Sequence, residues 1–263
     1  LRRVILPIVR PTAAPSSQPA GDRLTVAIGL AGDAALAESV NKARERGEPV
    51  ISMTLEDPIE LGAQFFLWEF ATAVAGTVLG INPFDQPNVA LSKKKTEAAL
   101  NVYMKSRTFP EESSTWEEET LAFYGEKREV GLRSGFRTLF NKFRDGGYAA
   151  IQAFLPPSPE TTEALRTLAG RIETRTGRPV VFDYGPRFLH STGQLHKGDG
   201  GAGIFIQLTG VHPKDTAVPS SPEGGGSAYS FGNLIDAQAL GDRQALREKG
   251  RPVARIHFKR DPV

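Results

Sequence analysis

Short apolar runs bounded by turn residues alternate along the chain with longer amphipathic stretches. "RLTVAIGL" (23–30) alternates and then runs apolar, as a buried strand does. "DAALAESVNKARERG" (33–47) has helical spacing and a glycine stop, and "PVISMTL" (49–55) reads as a second strand. A long apolar stretch from about 60 to 80 reads as a buried helix. Its centre, "FFLWEFATAVAGTVLGI" (65–81), contains Glu69 and is short for a membrane span. Strand, helix, strand, helix at these lengths argues for a parallel sheet with crossover helices.

The pattern changes at 105–131. "RTFPEESSTWEEETLAFYGEKREVG" (107–131) is acidic, then mixed, with little strand signal. Order resumes with a helix at 132–146 and a strand, "YAAIQAFL" (148–155). The helix at 158–177 has Ser158 as N-cap, Pro159 in its first position and Gly177 after its last turn. "PVVFDYG" (179–185), "GIFIQLTG" (203–210) and "PVARIHF" (252–258) are further strands, and 231–250 is a helix ahead of the last one. The stretch 211–227 has the composition of a flexible loop, and 11–20 that of a linker. The expected organisation is an α/β part at 1–107, a helical connecting arm at 108–146 and a second α/β part at 147–263.

Composition narrows the class. The 263 residues suit one large or two small domains with a real core, and 40% hydrophobic against 24% charged describes a globular protein. Net charge is +2, so no global field calls for nucleic acid or anionic lipid. Neither is expected as a partner. There is no cysteine, which excludes thiol chemistry and disulfides and fits a cytoplasmic location. The opening "LRRVILPIVRP" lacks an initiator Met and any signal-peptide pattern, and it reads as the middle of something longer.

Two stretches carry candidate chemistry. In "GINPFDQPNVALSKKK" (80–95), Asp85 can cap a helix and Pro87 is tolerated in its first turn. Gln86 and Lys93 stand seven residues apart, so they share nearly one helix face, with Ala90 leaving room between them. The plain alternative is a capped helix with a solvated lysine cluster. Repulsion among Lys93, Lys94 and Lys95 lowers the cost of deprotonating one of them.

The second stretch is "FLHSTGQLHKGDGG" (188–201), with two of the chain's four histidines. Its plain reading is a polar turn ahead of a strand. If it is helical, His190, Gln194 and Lys197 stack along one face and His196 points elsewhere. The glycines at 198, 200, 201 and 203 would free backbone amides for a close ligand. Metal binding is not expected, because the histidines lack ligand spacing and no carboxylate lies between them. There is no nucleophile elbow and no dinucleotide fingerprint. What remains is a neutral-pH acid/base histidine beside an amide and a cation, suited to a hydroxylated anionic ligand.

Both stretches carry a family resemblance. "FDQPNVALSK" closely resembles the glucose-6-phosphate isomerase signature F-D-Q-x-G-V-E-x-x-K, with Phe84, Asp85, Gln86, Val89 and Lys93 in register. Asn88 and Ala90 depart from the usual Gly and Glu. "LHSTGQ" (189–194) resembles the L-H-S-x-G-Q stretch of bacterial members. The histidine stretch follows the F-D-Q-P stretch by about a hundred residues, an order similar to the C-terminal part of bifunctional transaldolase/glucose-6-phosphate isomerase fusions.

The resemblance implies an SIS-type parallel sheet flanked by helices, with a second α/β part. It implies conversion of glucose 6-phosphate to fructose 6-phosphate without metal or redox cofactor. Ring opening needs a proton delivered to the ring oxygen and one removed from the O1 hydroxyl. The resemblance places Gln86 and Lys93 in the sugar-phosphate site and gives ring opening to His190. Chemically, His190 at the hydroxyl and Lys93 at the ring oxygen can share that task, with Gln194 and Lys197 as further substrate-binding candidates. The C2-to-C1 proton transfer needs a carboxylate base. The family carries it in a stretch like E-S-x-G-K, which is not found here, and the Ser/Thr-rich phosphate loop is also missing. "ESSTWEEE" (112–119) reads as a solvated charged face. The expected partners are a sugar phosphate and the missing N-terminal part of the same polypeptide. The alternatives are a non-catalytic sugar-phosphate-binding module and a structural interaction domain. If one sugar is served, Gln86, Lys93 and His190 must converge, with His190 at the carboxyl edge of a parallel sheet.

Overall fold

The computed structural model describes residues 24–85, 87–110, 112–126, 131–221 and 226–260. The protein is α/β, and its chain forms two compact units, Leu1–Asp85 and Gln86–Val263.

In the first unit, strand β1 (Thr25–Leu30) pairs in parallel with β2 (Val50–Leu55), in register from Thr25↔Val50 to Leu30↔Leu55. Helix α1 (Ala34–Glu45) makes the crossover and packs on both strands. It begins where Asp33 accepts the Leu36 N–H at 2.9 Å, satisfying one of the amides that a helix start leaves unpaired. After a 3-10 turn at Pro58–Glu60 comes α2 (Leu61–Leu79). Its extent agrees with the sequence, but its burial does not. Gly76 is its one buried residue, while Phe66 is 72% and Val78 77% exposed. A two-stranded sheet buries too little to cover a helix that is apolar on every side. No helix among the described residues is long and apolar enough to cross a membrane.

The second unit opens with α3 (Pro87–Ser106) and is built on a six-stranded sheet. Its strands are β3 (Trp116–Glu117), β4 (Leu121–Tyr124), β5 (Tyr148–Phe154), β6 (Val180–Tyr184), β7 (Gly203–Gly210) and β8 (Val253–Phe258). The spatial order is β3-β4-β8-β7-β5-β6, with β8, β7, β5 and β6 parallel and β3 and β4 antiparallel. The helices are α4 (Leu132–Phe140), α5 (Pro159–Thr176), α6 (Thr192–Gly198) and α7 (Phe231–Glu248). Both ends of α5 form as the sequence requires. Ser158 accepts the Thr161 N–H at 3.0 Å, and Gly177 closes the helix at φ +65°, where a side chain would be strained.

Strand periodicity splits the sheet into two unlike faces. Ala149, Ile151, Ala153 and Leu155 of the β5 segment and Ile204, Ile206 and Leu208 of β7 join Leu165, Ala169 and Ile172 of α5 in one apolar core. The opposite face of the same strands carries Gln152 and Gln207, register partners that are both fully buried. Helices α6 and α7 meet that polar face. Helix α7 also packs closely on α3. A Cβ at Gly241 would lie 2.7 Å from the Thr96 backbone nitrogen, so only glycine permits this approach.

The three-part division expected from the sequence therefore changes in two places. Helix α3 belongs with the six-stranded unit. The expected helical arm at 108–146 contains α4 but also supplies β3 and β4 to the sheet edge, pairing Trp116 with Phe123. Strands of two and four residues are too short for a period-two signal to register. Where it is described, the 211–227 loop is also more ordered than its composition suggests. Val218 and Phe231 donate to Tyr229 and Thr216 at 3.1 and 2.9 Å, fastening it to the start of α7.

Candidate functional site

The first motif runs into α3. Gln86 lies outside the described residues, so its expected place beside Lys93 does too. Lys93 is exposed and has no ion-pair partner among the described residues, whereas Lys95 pairs with Glu248 at 2.7 Å. The lysine cluster is thus divided: one member is held on α7 and Lys93 is left available. The buried side of α3 is formed by Asn88, Val89, Ser92 and Ala99.

The second motif follows β6. After a cis Gly185–Pro186 peptide, a 3-10 turn spans Arg187–His190. Phe188 and Leu189 anchor it in the interior, with Phe188 edge-on to Phe154 at 5.6 Å. His190 at the end of the turn is exposed, and no hydrogen bond holds its ring among the described residues. It stands beyond the carboxyl end of β6, the edge of a parallel sheet where open α/β folds place their ligands. Helix α3 packs against this turn and against α6.

The face expected to join His190, Gln194 and Lys197 does not form. Ser191, at φ −132° and ψ −99°, breaks the helix between the turn and α6, so the three side chains take separate directions. Gln194 reaches the start of α3, where its Oε1 accepts the Asn88 backbone N–H at 3.0 Å. Asn88 Nδ2 returns a longer bond to the Gln194 carbonyl at 3.5 Å. Helix starts leave their first amides unpaired, and here a glutamine 106 residues away satisfies one of them. Gln194, expected as a substrate-binding candidate, thus places its Oε1 on the start of α3.

Lys197 turns inward. It is 2% exposed, pairs with Asp242 of α7 and donates to the Gly193 carbonyl at 3.2 Å. Burial pushes the Asp242 carboxyl up from its ordinary value, with Lys197, Gln152 and Arg243 pulling it back. His196 lies beside this pair among Phe188, Phe205 and Tyr148. Burial, and secondarily the Lys197 charge, lower its pKa from 6.5 to about 3, so the ring is neutral. Gln152 Nε2 lies 3.3 Å from His196 Nδ1, within hydrogen-bond distance. Lys197 and His196 are therefore interior residues, and substrate binding by Lys197 is not what this geometry provides.

The glycine-rich run that follows is also committed. Asp199 accepts the Gly201 and Gly203 amides, each at 2.8 Å, and pairs with Arg251 at 3.1 Å. Those amides were expected to face a ligand, yet a carboxylate of the chain holds them. Glu112 departs in the same way from the solvated face read in "ESSTWEEE". It pairs with Arg243 at 2.8 Å, with Arg247, and with Arg255 at 3.6 Å. Its burial opposes ionisation, but the three guanidinium groups hold its carboxyl below the ordinary value. Arg243 in turn donates to Gln207. The nearest approach to E-S-x-G-K, "ESVNK" (38–42), lies on α1, where Glu38 and Lys42 form an exposed i,i+4 pair at 2.5 Å.

Sequence reading passed over Gln152, Gln207, Asp242 and Arg243. The signal for the two glutamines was present, since each interrupts an otherwise apolar strand. What the fold brings together is the α3 helix of Lys93 and the turn of His190. An exposed ammonium and an exposed imidazole on adjoining elements can give and take protons at a hydroxylated, anionic ligand.

No family model matches the chain. Among curated proteins, it is 40% identical over 57 residues to a glucose-6-phosphate isomerase of Leptospira interrogans, covering 21% of this chain and 13% of that protein. It is 49% identical over 43 residues to that of Exiguobacterium sibiricum, covering 16% and 10%. A third, from Leptospira biflexa, is 41% identical over 59 residues, covering 22% and 13%. The similarity thus spans about a tenth of the length of these relatives. Among solved structures, a hypothetical protein from Thermus thermophilus matches at TM-score 0.40 and 12% identity, over 82% of this chain and 48% of that one. By the local sequence similarities, the chain contains a glucose-6-phosphate isomerase-like region.

Proposed function

We propose that the chain contributes the ring-opening part of a sugar-phosphate aldose–ketose isomerase site, acting between glucose 6-phosphate and fructose 6-phosphate. In this reading the parent is an SIS-type α/β protein of the transaldolase–isomerase fusion kind. His190 takes the proton of the O1 hydroxyl while Lys93 gives one to the ring oxygen, which breaks the O5–C1 bond and leaves the open-chain aldehyde. Gln86 holds the sugar. Gln194 and Lys197 serve Asn88 and Asp242. The base that moves the C2 proton is supplied by residues other than these.

One observation carries the reading: the two motifs that resemble the isomerases, far apart in sequence, are bonded directly through Asn88 and Gln194. The local similarity to glucose-6-phosphate isomerases supports the choice of substrate class.

The test is titration of the chain with glucose 6-phosphate and fructose 6-phosphate, followed by NMR, with inorganic phosphate and unphosphorylated glucose as controls. The expected result is weak, saturable binding of the sugar phosphates that Lys93→Ala and His190→Ala each reduce. Binding equal to that of phosphate alone, or unaffected by both substitutions, overturns the proposal.

A further inference from the structure

We propose that Gln194 is a positioning residue, fixing the start of α3 against α6 and thereby the spacing between Lys93 and His190. The inference rests on the isomerase reading for its purpose and on the geometry for its mechanism.

Lys93 and His190 have the same weakness as a pair. Each is exposed, neither is held by a side-chain partner among the described residues, and they stand on different elements. Acid/base chemistry on one sugar requires their spacing to be set by something other than themselves, because small displacements cost heavily in rate. Within α3 the distance from Asn88 to Lys93 is fixed, five residues or about 7.5 Å along the axis. On the other side, Gln194 stands four residues after His190, but Ser191 breaks the helix between them. Phe188 and Leu189 anchor the turn in the core on the near side of that break. Lys197 fastens α6 to Asp242 on the far side. Both pieces of the second motif are thus tied down independently of α3.

Beside the packing of α3 on the turn and on α6, the Gln194 amide adds a directional link. Its Oε1 accepts the Asn88 N–H at 3.0 Å, and its backbone carbonyl receives Asn88 Nδ2 at 3.5 Å. Asn88 is 7% exposed, so its amide cannot easily exchange this acceptor for water. Pro87, immediately before it, has no N–H to offer, which makes the Asn88 amide the first donor of the helix. The acceptor it finds therefore fastens the first turn of α3 to α6.

The experiment exploits a chain without cysteine. Cysteines introduced at two exposed positions, Lys94→Cys on α3 and Arg187→Cys on the turn, take nitroxide labels for pulsed electron–electron distance measurement. Three versions are compared: Gln194 as it stands, Gln194→Met, which keeps length but loses the acceptor, and Gln194→Glu, which keeps an acceptor at a helix start that favours negative charge. The expected result is a narrow distance distribution that broadens in Gln194→Met and narrows again in Gln194→Glu. Affinity for glucose 6-phosphate should fall about fivefold or more in Gln194→Met and recover in Gln194→Glu. An unchanged distribution in Gln194→Met overturns the inference. So does a broadened one with unchanged affinity, since the bond is then structural only. Absence of glucose 6-phosphate binding to the chain with Gln194 intact overturns the isomerase reading instead, and the distance measurement still decides whether Gln194 sets the spacing.

Discussion

Lys197 of α6 and Asp242 of α7 form an ion pair with 1% and 0% of their side chains exposed. Two charges removed from water at this depth are held by each other and by few further bonds, so the pair is sensitive to the loss of either member. Lys197→Met leaves Asp242 buried without its counter-charge and is expected to destabilise the second unit by about 3–5 kcal/mol. The double substitution Lys197→Met with Asp242→Leu should recover most of that loss. Urea unfolding of the two variants checks both statements. A Lys197→Met protein as stable as the original would return Lys197 to the candidates for ligand binding.

His196 gives the stability a definite pH slope. Its pKa is about 3 in the folded protein against 6.5 as the ordinary value, so between those limits the unfolded chain binds the additional proton. Stability then rises with pH through that window, by up to about 1.4 kcal/mol per pH unit, and is full above it. His196→Phe keeps an aromatic ring against Phe188 and Phe205 and should flatten this part of the profile. Denaturation curves between pH 4 and 8 measure the difference, and parallel profiles would show that His196 does not titrate as its burial requires.

His212 has the opposite sign. Its Nε2 lies 3.0 Å from Asp236 Oδ1, and this bond, with Asp215 nearby, raises its pKa above 6.5 in spite of partial burial. His257, whose own pKa is lowered by burial, is the other imidazole in its field. The contribution of the His212–Asp236 pair is therefore complete below the ordinary histidine value and is lost as pH rises through the folded one. Asp236→Asn should cost more stability at pH 6 than at pH 9. An equal loss at both would identify the bond as neutral.

In a protein that contains the complete isomerase site, His190→Ala should impair ring opening selectively. The loss on cyclic glucose 6-phosphate is expected at about 10²- to 10⁴-fold, with much less on a substrate supplied in open-chain form. If the base for the C2 proton is not among these residues, as the proposal has it, the chain by itself should show no measurable turnover in a coupled assay. Equal losses on cyclic and open-chain substrates would assign His190 to binding.

Most of the sheet was legible because its strands are long, apolar and separated by capped helices. Ser158 and Gly177 bound α5 as their chemistry requires. The departures share a physical origin. Trp116–Glu117 and Leu121–Tyr124 are too short to show alternation, and they become strands only because β8 offers an edge to pair with. The exposure of α2 depends on what stands beside it, which hydrophobicity alone does not record. Local spacing put Lys93 on a helix, as observed, but it assumed one unbroken helix through Ser191. Gln194 and Lys197 take their directions from Asn88 and Asp242, partners 106 and 45 residues away, and no local pattern carries such information.

The loop between α6 and β7 has a consequence for anion recognition. Glycine-rich turns with converging amides ordinarily draw an anion from solution. Here Asp199 fills that role from within, against the Gly201 and Gly203 amides and Arg251. A tethered carboxylate competes at an effective concentration that a free phosphate must exceed before it can enter, in the millimolar range even for a flexible tether. The Gly201 and Gly203 amides of the loop are thus satisfied from within the chain. The loop acts as a fixed joint between helix and strand.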